Sequence, residues 1–143
     1  PLLHESAATI ERELQLVRPY LVLMQMRMPD RLQYAINLDP AALKVRCPPT
    51  TLLTLVENAV RHGIDPSEEG GRIDVDIARL GDRCVVRVTD TGGGLHHSAN
   101  GLGTGLTTLR ERLQLIFGDA AHLRLIAGAP RGVVVEIDMP AHT

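Results

Sequence analysis

The first 28 residues carry a stripe of apolar side chains with helical spacing. Its members alternate by four and three residues, which places them on one side of a helix: Ile10, Leu14, Val17, Leu21, Met24 and Met28. Pro19 falls inside the stripe and removes one helical hydrogen bond, so we expect a kink or a break there. The stripe fits either a helix packed on its own domain or a connector that continues an upstream dimeric coiled coil.

The rest of the chain alternates between strand-like and helix-like patterns. Residues 31–38 alternate apolar and polar side chains, as a half-buried strand does. Helical spacing returns over 51–62, with Thr50 and Thr51 as candidate N-caps and Gly63 as candidate C-cap. The remaining predicted elements are a hairpin (72–79 and 84–90), a glycine-rich loop (91–105), a helix (106–117) that Gly118 ends, and two closing strands (122–127 and 133–139).

This order of elements predicts an α+β fold. One mixed, mostly antiparallel sheet with helices on one face forms a two-layer α/β sandwich. The chain has 143 residues, of which 44% are hydrophobic, enough for one domain with a sizeable core.

Composition excludes several functions. A net charge of −2 and only 2% aromatic residues argue against a nucleic-acid partner, because neither a basic face nor a stacking platform is implied. Cys47 and Cys84 lie too far apart for a zinc motif and suit a reducing compartment. No apolar run is long enough to span a bilayer. The chain begins at Pro1 rather than Met, so we expect a piece of a longer protein.

Asp90 is the most informative single residue. It shares strand parity with Val86 and Val88, so its carboxylate is expected on the buried side of the sheet. A buried carboxylate is costly unless a partner donates a hydrogen bond to it. Asp90 also opens the stretch Thr91–Leu95, whose glycines permit close backbone approach. The alternative is an ordinary strand-ending turn that Asp caps.

Two further segments carry candidate binding groups. The polar face of the 51–62 helix presents Thr54, Glu57, Asn58, Arg61 and His62, a pattern that also fits a solvated surface. A glycine cluster at 101–106 leads directly into a helix, whose free N–H groups suit an anion such as phosphate. The cluster is neither a P-loop nor a dinucleotide fingerprint, because the required lysine and the preceding strand are missing.

Taken together, these segments resemble a known family. VENAVRHGI (56–64), DTGGGL (90–95) and GTGLTTLRERL (103–113) look like its N-box and its two glycine boxes, and PRGVVVEIDMP (130–140) is similar to its last strand motif. The family is the GHKL superfamily of gyrase, heat-shock chaperones, histidine kinases and mismatch-repair ATPases, with the Bergerat-type ATP-binding fold. With ERELQLVRPYLVLMQMRMPDRLQ (11–33), the chain most resembles LytS/YehU-type sensor histidine kinases from about Glu11 to Pro140.

The resemblance implies that the domain binds ATP and Mg²⁺. It implies that Asp90 accepts a hydrogen bond from the adenine amine, and that Asn58 holds Mg²⁺ through its amide oxygen. Glu57 would polarise the attacking imidazole, or would pair with Arg61 one turn later. The other implied nucleotide contacts are Arg61 and His62 beside the phosphates, Gly92 and Gly94 beside the base, Leu95 in a lid over 95–102, and the helix start Gly103, Thr104, Gly105 and Leu106.

The resemblance also implies the setting of the domain. Residues 1–28 would be a connector helix from a missing upstream dimerisation segment, and 29–143 the ATPase domain. The acceptor histidine would lie upstream, since nothing around His4 resembles its motif. The expected partners are that segment and a response regulator, within a homodimeric protein of the bacterial inner membrane whose catalytic domain is cytoplasmic. The alternatives are an anti-sigma-type serine kinase, whose relatives have an acid where Thr54 stands here, and a non-catalytic nucleotide-binding module.

Overall fold

The computed structural model describes residues 8–64, 68–92, 103–128 and 131–143. Its strands are β1 (Ala8–Thr9), β2 (Leu32–Leu38), β3 (Arg46–Cys47), β4 (Gly71–Leu80), β5 (Arg83–Asp90), β6 (His122–Ala127) and β7 (Val133–Pro140). Its helices are α1 (Ile10–Arg27), α2 (Thr51–Asn58) and α3 (Gly103–Phe117), with short 3₁₀ turns at Pro40–Ala42 and Gly118–Ala120 and a π-helical segment at Ala59–Ile64.

Five strands form one sheet in the order β2-β4-β5-β7-β6. The pair β2–β4 is parallel and the other neighbours are antiparallel, which confirms the predicted mixed, mostly antiparallel sheet. β1 and β3 form a separate antiparallel pair of two residues each, which the sequence did not predict because neither is long enough to show alternation.

The helix α1 packs on this domain. All six stripe residues, Ile10, Leu14, Val17, Leu21, Met24 and Met28, are buried in the core, which favours the first of the two interpretations of the stripe. The helix is continuous through Pro19, so the expected break is absent. Pro19 and Gln15 are both exposed, and the Gln15 carbonyl that loses its partner therefore faces water. The role of residues 1–28 as a connector stays a prediction, and residues 1–7 lie outside the described ranges.

The sheet face away from the core carries a polar row that crosses all five strands. Asn37, Asp76, Arg87, Glu136 and Arg124 are direct cross-strand neighbours in that order. Opposite charges in adjacent positions stabilise strand pairing. We call these residues the outer row.

In the part of the chain that the structure describes, no helix has both the length and the apolar character needed to cross a membrane.

Candidate functional site

The helix α2 begins at an unusual N-cap. Thr50 has a positive φ of 64°, and its side chain makes no capping hydrogen bond. The predicted N-cap position is therefore right, but the predicted capping group is wrong. The carboxylate of Glu13, from α1, accepts hydrogen bonds from the main-chain N–H groups of Thr50 and Leu52, both at 3.0 Å. A remote carboxylate thus satisfies the free donors at this helix start.

Sequence reasoning missed Glu13, although a signal was present. Glu13 lies three residues after Ile10 and four before Val17, so it occupies the buried side of α1. Only 2% of the residue is exposed. A charged residue on an apolar stripe predicts a specific partner, because an unpaired buried charge is costly.

Beyond Asn58 the backbone of α2 widens into the π-helical segment Ala59–Ile64. Such segments are rare and occur often at functional sites. Gly63 lies inside this segment, so its predicted role as a C-cap is wrong. The segment instead carries Arg61 and His62 toward the end of the helix where the polar residues gather.

Gly63, Asp90 and Gly92 approach one another closely. A Cβ atom on Gly63 would lie 2.5 Å from Oδ1 of Asp90, and one on Gly92 would lie 1.8 Å from the Gly63 carbonyl oxygen. Neither position has room for a side chain, so both glycines are required by close packing. Gly63 is therefore required by its close packing against Asp90, and Gly92 by its close packing against Gly63.

Asp90 is buried, as its strand parity predicts, with 4% of the residue exposed. Its carboxylate accepts a hydrogen bond from the Gly92 N–H at 2.9 Å and another from the main chain of Val133. Burial raises the pKa of Asp90, and these two hydrogen bonds only partly offset that effect. Among the described ion pairs, none includes Asp90.

A cavity of about 380 Å³ brings the N-box helix and the start of α3 together. Its lining residues are Thr54, Glu57, Asn58, Arg61, His62, Thr104 and Gly105. A Cβ on Gly105 would lie 3.6 Å from Cγ2 of Thr54, which is ordinary contact between the two helices. The polar face of α2 and the start of α3 therefore border one common cavity.

Four predicted site residues need a separate account. Leu106 is buried in the core, so only its main chain is available at the start of α3. Gly94 and Leu95 lie outside the described residues, as does the rest of the predicted lid, 95–102. Gly103 is the first residue of α3. A larger cavity of about 460 Å³, at the other end of α3, is lined by none of the predicted nucleotide-contacting residues.

The C-terminal two thirds of the chain match a family model. The model is described as histidine kinase-, DNA gyrase B-, and HSP90-like ATPase, and it matches residues 48–143. The chain belongs to this family. The matched range includes α2, β5 and α3, the elements that carry the polar cavity and Asp90.

Curated relatives of the chain include a bacterial sensor protein and a bacterial sensor histidine kinase. The sensor protein LytS of Staphylococcus saprophyticus is 32% identical over 149 residues, covering 96% of this chain and 25% of the relative. The sensor histidine kinase YesM of Bacillus subtilis is 28% identical and covers 95% of this chain and 24% of the relative. The chain thus spans about a quarter of the length of these relatives.

Solved structures share the fold. The catalytic domain of the histidine kinase ThkA superposes with a TM-score of 0.71 at 17% identity, covering 95% of this chain and 96% of that one. ThkA in a complex with the response regulator protein TrrA superposes with a TM-score of 0.70 at 16% identity, covering 96% of this chain and 42% of that one. At these identities the likeness concerns the fold alone.

Proposed function

We propose that this chain is the ATP-binding catalytic domain of a two-component sensor histidine kinase, and that it transfers the γ-phosphate of ATP to a histidine outside this sequence. The main structural support for this proposal is the environment of Asp90. Asp90 is a buried carboxylate without a described ion pair, and its neighbour Gly63 belongs to the segment that carries Arg61 and His62 into the polar cavity. Membership of the ATPase family and the sensor-kinase relatives support the same conclusion.

Asp90 would recognise the base. The exocyclic amine of adenine donates a hydrogen bond that a carboxylate accepts, whereas guanine places a carbonyl oxygen at the equivalent position. The pKa of Asp90 is raised by burial, so a ligand donor would relieve part of the cost of its charge. The absence of side chains at Gly63 and Gly92 lets the backbone pack against this carboxylate.

The side chain of Asn58 is suited to bind Mg²⁺. It lines the cavity and offers an amide oxygen, the hard donor type that Mg²⁺ takes from proteins, with the other ligands left to water and phosphates. When bound, Mg²⁺ neutralises charge on the phosphates. Arg61, His62 and the N–H groups at the start of α3 would orient the phosphates, since all line or border the same cavity.

Glu57 is proposed to act on the acceptor histidine. It lines the cavity with Asn58, so it would polarise the acceptor imidazole once that group enters. The alternative, an ion pair with Arg61, is not among the ion pairs of the described residues, and Arg61 lies in the π-helical segment, where a spacing of four no longer aligns two side chains.

The partners follow from the same proposal. The acceptor histidine and the dimerisation segment would belong to the longer parent protein, which we propose to be homodimeric and held at the bacterial inner membrane with this domain on the cytoplasmic side. A response regulator would take the phosphoryl group. The structure of ThkA in complex with the response regulator protein TrrA supports a response regulator as a partner.

Phosphate labelling tests the transfer step. The isolated chain, incubated with γ-labelled ATP, should bind nucleotide but form no acid-labile phosphate on its six histidines. The parent's upstream dimerisation helix, added as a separate peptide, should become labelled, slowly because the covalent link that raises effective concentration is missing. Strong self-labelling of the chain would contradict an acceptor outside it. Labelling of a serine on a partner protein would favour the anti-sigma class instead.

A further inference from the structure

The start of α2 is held from two sides by other helices. Glu13 of α1 accepts hydrogen bonds from the N–H groups of Thr50 and Leu52. Arg112 of α3 donates from Nη2 to the Pro49 carbonyl at 2.6 Å and from Nη1 to the Thr50 hydroxyl at 3.5 Å. We call these five residues the Thr50 clasp. The clasp satisfies donors and acceptors of one loop with groups from two different helices.

The charges of the clasp are complementary. Burial raises the pKa of Glu13, and the hydrogen bonds from Leu52 and Thr50 together with the charge of Arg112 act in the opposite direction. The partly positive N-terminus of α2 adds to this attraction, because unpaired N–H groups point toward the carboxylate. Glu13 is therefore fitted to this helix start and does not merely fill the core.

The clasp lies at the opposite end of α2 from the polar cavity. Eight residues of α helix span about 12 Å, and Asn58 is the last of them. Contacts between α2 and α3 run in opposite chain directions, since Thr50 meets Arg112 while Thr54 meets Gly105. The two helices are thus antiparallel, and both of their other ends meet at the cavity.

The clasp joins the start of α2 to both α1 and α3. Continuous helical hydrogen bonds connect Thr51 to Asn58, so we expect a shift at the start of α2 to displace Asn58 as well. Thr50 makes no side-chain cap of its own that would hold the helix start in place. The distance from the Asn58 amide to the start of α3, where Thr104 and Gly105 lie, is thereby linked to α1.

We propose that Glu13 is a positioning residue, which aligns Asn58 with the start of α3 and so couples helix α1 to metal-dependent nucleotide binding. The inference rests on the proposed function, because it assigns Asn58 to Mg²⁺. It assigns no contact between Glu13 and nucleotide. Its consequence is specific: loss of Glu13 should weaken the part of ADP binding that depends on Mg²⁺, and should spare the part that does not.

The experiment compares Glu13→Ala and Glu13→Gln with matched changes at Glu11. Glu11 is on the same helix, and its exposed carboxylate forms a 3.6 Å ion pair with Lys44. For each variant the Kd for ADP is measured by calorimetry in excess Mg²⁺ and in EDTA, after circular dichroism has established folding. The readout is the ratio of the two Kd values, which a uniform loss of stability leaves unchanged.

Glu13→Ala should lower the gain from Mg²⁺ by about three-fold, less than the loss expected for Asn58→Ala, because it misplaces the Asn58 amide without removing it. Its Kd in EDTA should stay within about two-fold of wild type. Glu13→Gln keeps one acceptor oxygen and should lose a smaller share of the gain. Glu11→Ala and Glu11→Gln should match wild type in both conditions.

Each other outcome overturns the inference. If the Glu13 variants keep the wild-type ratio, or lose affinity equally with and without Mg²⁺, Glu13 is a structural residue only. If Glu13→Ala does not fold, an unchanged ratio in Glu13→Gln leads to the same conclusion. If wild type itself gains nothing from Mg²⁺, the assignment of Asn58 fails first and the positioning role fails with it.

Discussion

Two buried carboxylates of the same sheet have opposite surroundings. Asp90 ends β5 on the core side, and Glu136 lies on the neighbouring strand β7 in the outer row, each with 4% of the residue exposed. Glu136 accepts hydrogen bonds from Arg87 at 2.6 Å and from Arg124. Asp90 receives only main-chain N–H groups among the residues described.

Their pKa values move in opposite directions. Burial alone would raise the pKa of Glu136, but hydrogen bonds and charge from Arg87 and Arg124 outweigh it and lower that pKa. Burial raises the pKa of Asp90, and among the described residues only the main-chain hydrogen bonds from Gly92 and Val133 act in the opposite direction. A carboxylate compensated within the protein stabilises the sheet, whereas an uncompensated one stays available to a ligand.

Replacing Asp90 should have the largest effect on this contrast. Asp90→Asn should weaken ADP binding by about 5- to 150-fold, equivalent to roughly 1–3 kcal/mol, because a charge-assisted hydrogen bond is lost. The melting temperature should not fall. The folded-state pKa is raised, so the ionised form disfavours the fold at neutral pH, and that penalty fades as the pH falls toward the unfolded value.

The control for Asp90 is Asp76→Asn. Asp76 is exposed in the outer row and accepts a hydrogen bond from Asn37 at 2.8 Å. This variant should bind ADP as wild type does. Equal ADP affinity of wild type and Asp90→Asn would remove base recognition from Asp90.

Replacing Asn58 tests whether the polar cavity, unlike the outer row, binds Mg²⁺. Asn58→Ala should abolish the gain that Mg²⁺ brings, an effect of about ten-fold, and should leave binding in EDTA nearly intact. Calorimetry with and without EDTA measures both. Asn37→Ala, a matched change in the outer row, should keep the gain. A persistent Mg²⁺ gain in Asn58→Ala would show that another group holds the ion.

Replacing Glu136 should alter stability and not binding. Glu136→Gln should lower the free energy of unfolding by about 1 kcal/mol, a modest value because both arginine partners are more than half exposed. The lowered pKa gives the sign with pH: this contribution is present above the unfolded pKa near 4.5 and is lost as the pH falls through the lower folded value. Chemical denaturation at neutral and acid pH measures it. A variant that loses ADP affinity instead would break the contrast with Asp90.

Periodicity predicted the elements of the fold well. Alternation over 31–38 and in the hairpin corresponds to β2, β4 and β5, and the parity of Asp90 correctly gave its burial. These features follow from local pattern, because side chains on a strand alternate between two faces.

The features that the sequence analysis did not predict depend on contacts between elements that are distant in the chain. Gly63 is suited to cap a helix, yet close approach to Asp90 is what requires it here. Thr50 has the residue type of an N-cap, but Glu13, 37 residues earlier, supplies the cap. Pro19 does not break α1, because the core contacts of the stripe hold the helix on both sides of it. No spacing rule links such distant partners.

Titration of the wild-type chain with ADP and with GDP, in excess Mg²⁺, tests the central claim most directly. We expect micromolar-to-millimolar binding of ADP and much weaker binding of GDP, because the Asp90 carboxylate accepts from the adenine amine and opposes the guanine carbonyl. No binding of ADP, or equal affinity for the two nucleotides, would contradict an adenine site built on Asp90.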